Sequence, residues 1–140
     1  MKYKFIGLLL AVCFVATQMS AQALTPKEVV GNWKVADIHL TVELSEEEAA
    51  AMEALRPAFM QAEFFYGEDQ QFTFNFAYEE MKLEDGYWRF MEAEGLFGIW
   101  ESEEQSANGP RFMGMQALKK DGKILFMLEE TPLALEVVKQ

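Results

Sequence analysis

Two Asp-Gly pairs divide this sequence into short segments of strand-like character. Asp85-Gly86 separates residues 81–83 from 87–90, and Asp121-Gly122 lies between two longer apolar segments. Asp-Gly suits the left-handed positions of a tight type I′ turn, so each pair predicts a β-hairpin. Other turn residues cut the rest of the chain in the same way. They are Gly95 and the stretches 66–69, 108–110 and 131–132.

The segments between these turns have the two-residue period of half-buried strands. In residues 71–77, Phe72, Phe74 and Phe76 alternate with polar residues, which is typical of a strand with one buried face. The other strand-like segments are 32–42, 87–90, 96–101, 112–118, 123–128 and 133–138. About seven or eight short strands separated by turns predict an all-β fold, an up-and-down antiparallel barrel.

The first predicted strand changes register along its length. Trp33 and Val35 share one face, whereas Ile38, Leu40 and Val42 have the opposite parity. A bulge near residues 36–37 would turn both sets inward and bend the strand, as a closed sheet requires.

A helical segment follows the first strand. Ser45 and Glu48 form a capping-box pattern, with acidic residues in the first turn, where they suit the helix dipole. Apolar residues then recur at helical spacing up to about residue 64, and Pro57 predicts a break or kink after Leu55. We expect a kinked helix or a helix-turn-helix inserted between strands one and two.

The amino terminus has the pattern of a cleavable secretory signal. Lys2 and Lys4 precede an apolar run over 5–16, and small residues follow at 20–23, the order that export signals share. The run is too short to span a membrane. We expect cleavage after Ala23, and the second choice is cleavage after Ala21. The chain then divides into a leader, residues 1–23, and one domain, residues 24–140, exported to the periplasm or the extracellular space.

The composition of that domain limits its chemistry. Cys13, the single cysteine, lies in the leader with a bulky Val12 before it, a poor match to a lipid-attachment motif. Cysteine-based catalysis and disulfides are therefore excluded. The leader holds two of the 12 basic and none of the 23 acidic residues, which leaves 10 against 23 and a net charge of about −13. Nucleic acid and anionic membrane surfaces are unsuitable partners for such a chain.

The entry into the first strand resembles that of lipocalin-like barrels. Gly31-Asn32-Trp33-Lys34 matches their Gly-x-Trp motif, and the resemblance implies that Trp33 plugs the closed end of the barrel. The helical insert is similar to the lid of the intracellular fatty-acid-binding proteins. The whole domain resembles secreted lipocalin-like proteins of Bacteroidetes. In lipocalins an Arg on the last strand stacks on the Trp, but here residues 133–140 offer only Lys139.

A second fold fits the same pattern of segments. In an α+β arrangement, the helix over 45–64 would pack into the concave face of a curved antiparallel sheet. Neither the turn residues nor the strand periods distinguish this open sheet from a barrel.

Candidate reactive groups do not form a catalytic or metal-binding pattern in the sequence. His39, the only histidine, falls on the outward face after the predicted bulge, where no Ser-His-acid triad can be assembled. The acidic residues at 46–48 could suggest a calcium site, but consecutive helical residues lack the ligand spacing of a calcium loop. We therefore interpret them as the start of a helix. Met113 and Met115 alone are too few thioethers for copper. We expect no enzymatic activity, no metal and no cofactor.

A barrel of this size is either filled by side chains or holds one small ligand. The first hypothesis is a non-enzymatic binding protein for a small apolar molecule, with Gly31 and Trp33 as structural residues. The alternative is a filled barrel that serves as a protein-protein interaction module at the cell envelope. Either hypothesis leaves the oligomeric state open. The predicted ligand-binding residues are apolar side chains of the lid and the strands: Met52, Leu55, Phe59, Phe72, Phe74, Phe76, Trp88, Met113 and Met115.

Overall fold

The computed structural model describes residues 21–77 and 82–140. The predicted leader up to residue 20, with Cys13, and the predicted strand residue Met81 lie outside these ranges. Within them the chain forms nine strands and three helices. In chain order these are β1 (Ala21–Ala23), α1 (Pro26–Val29), β2 (Gly31–Leu40), α2 (Glu46–Met60), β3 (Glu63–Tyr66), β4 (Gln71–Asn75), β5 (Leu83–Met91), β6 (Leu96–Trp100), α3 (Glu103–Asn108), β7 (Met113–Lys120), β8 (Lys123–Leu128) and β9 (Leu133–Lys139).

Strands β2 to β9 form a closed eight-stranded antiparallel barrel. Each strand pairs with the next along the chain, and β9 pairs with β2 to close the ring. The short β1 adds to the second half of β7, opposite Leu118 to Lys120. The prediction of an all-β up-and-down barrel with a helix after its first strand is therefore confirmed. The open-sheet alternative is wrong, because the β2–β9 pairing leaves no concave face for a helix to fill.

The two Asp-Gly pairs have different structures. Asp121 (φ 52°) and Gly122 (φ 79°) are both left-handed and join Lys120 directly to Lys123, as predicted. The hairpin predicted at Asp85-Gly86 is wrong, since both residues lie inside β5. Opposite β4 the register shifts there, so the pair forms a bulge. A Cβ on Gly86 would lie 3.1 Å from the carbonyl oxygen of Phe72, and this close approach of two strands favours glycine.

The bulge predicted in the first strand is confirmed. Val35 pairs with Val137 and Asp37 with Glu136, so Ala36 is the extra residue. Trp33 and Val35 are buried, and Ile38 beyond the bulge packs against the core. Leu40 has the same parity as Ile38 and lines a small space with it beside the helix that follows, although Leu40 is 48% exposed. The prediction that Val42 faces inward is wrong, because Val42 lies beyond the end of β2 and is 58% exposed. β2 ends at Leu40, at the rim of the barrel, where little is left to cover either side chain.

Helix α2 begins at the predicted capping box. Ser45 accepts a hydrogen bond from the Glu48 N–H, and the Glu48 side chain accepts one from the Ser45 N–H. The helix continues through Pro57 to Met60, so the predicted break and the helix-turn-helix alternative are wrong. The carbonyl left unpaired by Pro57 is that of Glu53, and both residues are exposed. Residues 63 and 64, predicted as helical, belong to β3.

None of the helices in the described ranges has the length and apolar character needed to span a bilayer.

Aromatic rings fill the centre of the barrel. Tyr66, 0% exposed, makes edge-on contacts with Phe72 at 4.9 Å, Trp88 at 5.5 Å and Phe126 at 5.9 Å between ring centroids. Its hydroxyl donates to Sδ of Met115 at 2.8 Å, and burial raises the pKa of this phenol well above its ordinary value. These contacts make the barrel centre a packed core.

Candidate ligand-binding cleft beside helix α2

The end of the barrel that carries α1 is closed by Trp33. Its indole N–H donates to the carbonyl oxygen of Val29 at 2.8 Å, and both side chains are buried. Lys139 lies over the ring, with Nζ 5.3 Å from the ring centroid, and donates to the Glu28 carbonyl at 3.2 Å. Gly31 allows this packing, because a Cβ there would overlap the Lys139 side chain.

At the opposite end of the barrel, α2 connects β2 to β3. A cleft of about 490 Å³ lies there between α2, the start of β7 and the connection that follows β8. Its lining combines apolar side chains with a polar rim. The lining residues are Phe59, Phe74, Arg111, Phe112, Met113, Gly114, Leu128, Glu129, Glu130 and Thr131.

The inner wall of the cleft is aromatic and continuous with the core. Phe59 of α2 and Phe74 of β4 are both buried and lie on either side of Phe76. The ring of Phe76 is 4.8 Å from that of Phe59 and 5.2 Å from that of Phe74. Phe74 also stacks on Phe64 at 4.9 Å. An apolar molecule in the cleft would therefore contact rings that are held by the barrel core.

An arginine at the rim is held by two carboxylates. Arg111 donates from Nη1 to Glu94 at 2.8 Å and from Nη2 to Glu129 at 2.7 Å. Partial burial opposes the positive charge, but hydrogen bonds and attraction from the two carboxylates outweigh it and raise the pKa of Arg111. Charge-assisted bonds of this kind fix the guanidinium in place. Arg111 is therefore a fixed polar group at the rim, beside the apolar wall of the cleft.

The structure brings together four of the predicted ligand-binding residues. Phe59, Phe74 and Met113 line the cleft, and Phe76 packs behind two of them. Leu55 is half-buried against the core. Met52 lines a separate space of about 40 Å³ between α2, β2 and β9.

The remaining three predicted residues lie away from the cleft. Phe72 and Met115 are fully buried in the barrel centre. Trp88 donates its indole N–H to the Gly67 carbonyl at 2.9 Å and borders a groove beside α1. The dense aromatic stretches at 64–66 and 96–100 are also mostly internal, since Phe64, Tyr66 and all of 96–100 are buried.

Sequence reasoning missed the polar half of the cleft. Arg111, Glu129 and Glu94 come from three different connections, and no spacing in the sequence relates them. Phe112 and Leu128 were recognised only as strand residues. One sequence feature does indicate part of the lining: the strand over 123–128 has an apolar end next to the turn at Thr131-Pro132.

A second large groove lies at the α1 end. It has a volume of about 550 Å³, is shallower than the cleft beside α2, and has Lys119, Lys123 and Lys139 around Trp33 and Ile124.

Comparisons with protein-family models, curated proteins and solved structures found no significant match to this chain.

Proposed function

We propose that this chain is an exported, non-enzymatic binding protein that holds a small apolar molecule in the cleft beside α2. The observation that carries the proposal is the inner wall of that cleft, formed by Phe59, Phe74 and Met113. Its volume, about 490 Å³, is within the usual range of small-molecule sites, which are mostly apolar with a few fixed polar groups.

The ligand is placed at the mouth of the barrel because the centre is occupied. Tyr66 contacts both Phe72 and Phe126 there, so we expect a molecule entering from the α2 end to reach Phe74 and no deeper. The thioether of Met113 suits ligands of varied shape, because the side chain is flexible and polarizable. A polar group on the ligand would meet Arg111, Glu129 or Thr131 at the rim.

A fluorescent apolar dye such as ANS tests the proposal. The native protein should enhance its emission, and an apolar competitor should displace it. Met113→Lys should weaken dye binding by about ten-fold or more, because an ammonium group would replace the apolar wall. Met52→Lys is the matched control, since Met52 lines a separate small space and not the cleft, and its variant should keep dye binding. Native protein that leaves the dye unaffected would reject the proposal.

The filled barrel centre favours one other function, the interaction module. In that case the aromatic core only supports the outer surface, and no small molecule is held. The same titration separates the two functions, because an interaction module has no saturable site for the dye and no response to Met113→Lys.

A further inference from the structure

Three potential metal ligands meet on the outer wall of the barrel. Asp37 and His39 lie two residues apart on β2, and Glu136 on β9 is the cross-strand partner of Asp37. The bulge at Ala36 determines this arrangement, because it shifts the parity of β2 and turns Asp37 and His39 outward together. One imidazole and two carboxylates thus lie on one face of two paired strands.

The ligand atoms are already close to the separations that a metal ion requires. Nε2 of His39 is 3.2 Å from Oε1 of Glu136 and 3.9 Å from Oδ2 of Asp37. All three atoms lie within 4.8 Å of one another. Zinc binds such ligands at about 2.0–2.2 Å in tetrahedral geometry, which separates neighbouring ligand atoms by about 3.4 Å. Small side-chain rotations therefore suffice to bring the three atoms around one ion.

Surrounding contacts orient the aspartate for this role. Oδ1 of Asp37 accepts the N–H of Ile38 at 2.8 Å and Nη2 of Arg56 at 3.3 Å. Its other oxygen, Oδ2, faces His39. Outer-shell bonds of this type orient ligands in metal sites. The His39 side chain is 48% exposed, so an ion can reach the group from solvent.

We propose that Asp37, His39 and Glu136 bind a divalent transition-metal ion of the zinc type, with water in the fourth position. The ion would bridge β2 and β9, the pair that closes the barrel, next to the bulge. The sequence alone gave no indication of this site, because Glu136 is 97 positions from His39 along the chain.

Two cations occupy the carboxylates when no metal is bound. Nζ of Lys123 is 3.5 Å from Oε1 of Glu136, and Arg56 pairs with Asp37. Ion pairs between exposed side chains are weak, and both basic side chains are well exposed. Lys123 must leave Oε1 when the metal binds, so the site predicts that removing this lysine strengthens binding.

The experiment is a titration of the full chain with Zn²⁺ alone. Calorimetry measures the binding, and the melting temperature measures the change in stability. We expect one ion per chain and a rise in melting temperature of about 5 °C or more at saturation. His39→Ala and Glu136→Gln should each weaken binding by at least about 100-fold. Lys123→Met should tighten it. Glu92→Gln, which makes the same charge change on an exposed turn, should bind like the native chain.

His39 also gives a direct spectroscopic readout, because the chain has no other histidine. Its imidazole NMR signals should shift on addition of Zn²⁺ with the same stoichiometry as the heat. Melting curves without zinc show that each variant is folded. Native protein without saturable zinc binding, or binding that persists in both His39→Ala and Glu136→Gln, would overturn the proposal. An unchanged or weaker affinity in Lys123→Met would also contradict it.

Discussion

Lys139 lies over the indole ring of Trp33, with Nζ 5.3 Å from the ring centroid. This contact joins the first and last strands of the barrel at the end that α1 covers. It also sets a cation against the tryptophan, as an arginine of the last strand does in lipocalins. Lysine provides the charge but lacks the planar stacking of a guanidinium, and its amino group instead donates to the Glu28 carbonyl.

Trp33→Ala should lower the free energy of unfolding by about 3 to 5 kcal/mol, because it removes a buried ring and its contact with Phe126. Urea denaturation followed by circular dichroism measures this loss. Lys139→Met keeps most of the aliphatic packing and should cost only about 1 kcal/mol, the scale of an exposed cation–π contact. A loss within roughly 0.5 kcal/mol for Trp33→Ala would contradict the burial of the ring and the lipocalin-like closure.

Two glycines should respond differently to substitution. Gly122→Ala places an L-residue at φ 79° and should cost about 1 to 2 kcal/mol. Gly122→Asn should recover part of this, since asparagine tolerates that conformation. Gly86→Ala should cost about 1 to 3 kcal/mol through overlap with Leu83 and Phe72, and Gly86→Asn should be worse still. Thermal melts of the four variants measure the difference, and an asparagine rescue at Gly86 would refute the steric explanation.

The same two positions show how far local sequence determines this fold. Asp-Gly at 121–122 and at 85–86 has identical local chemistry, yet the first is a turn and the second a strand bulge. The outcome at Gly86 depends on the backbone of Phe72, which approaches it from β4. The strands and the Ala36 bulge could be predicted, because the alternation of apolar and polar residues shows which face of a strand is buried and where that face changes. No comparable pattern in the sequence indicates where two strands approach each other closely.

Helix α2 should open more readily than the strands. Hydrogen exchange should be faster in Glu46–Met60 than in Gln71–Asn75, because much of the helix is exposed and such segments open locally. Phe59→Ala should cost about 3 to 5 kcal/mol, since Phe59 is only 6% exposed, whereas Leu55→Ala should cost about 1 kcal/mol. Equal protection of the helix and the strand, or unfolding of the domain by both variants without dye binding, would assign α2 to the core.

Alkaline pH should destabilise the barrel through Tyr66. Burial raises the folded-state pKa of Tyr66, while an unfolded tyrosine ionises near pH 10. The stabilisation is therefore fully present below about pH 10 and is lost as the pH rises further. Urea denaturation between pH 8 and pH 11 should show this decline in the native chain and in Tyr87→Phe. In Tyr66→Phe the decline should be smaller, and an unchanged slope would contradict the assignment.

The exported chain should begin at Leu24 or Gln22. In the uncut chain the Leu24 N–H donates to the Ala117 carbonyl at 2.8 Å. Cleavage after Ala23 removes the whole of β1 and converts this amide into an α-ammonium group, which can still donate to the same carbonyl. Leu24 itself is 5% exposed, so the cut falls where the chain enters the core. Amino-terminal sequencing of protein recovered from the periplasm or the medium tests this. A start at Met1, or a lipid on Cys13, would refute export by cleavage.

The candidate cleft was only half predictable, for a physical reason. The periodic spacing of Phe59 and Phe74 predicts that these side chains of its apolar wall are internal. Met113 was predicted because a flexible methionine suits an adaptable apolar pocket. The rim of the cleft depends on Arg111 reaching Glu94 and Glu129, a contact among connections whose path is determined only by the closed barrel. Sequence patterns describe the faces of regular elements, and they do not describe how three loops meet.

The pairing of β2 with β9 also has a kinetic consequence. Every other neighbouring pair in the barrel is consecutive along the chain, whereas here Gln140 donates its backbone N–H to the carbonyl of Asn32. The entropy of bringing distant segments together makes such contacts slow to form. We therefore expect the seam between β2 and β9 to close late in folding, and a chain in which the seam is still open has two unpaired strand edges. Those edges can pair with a second chain, so the time before the seam closes is when this protein is most prone to aggregate.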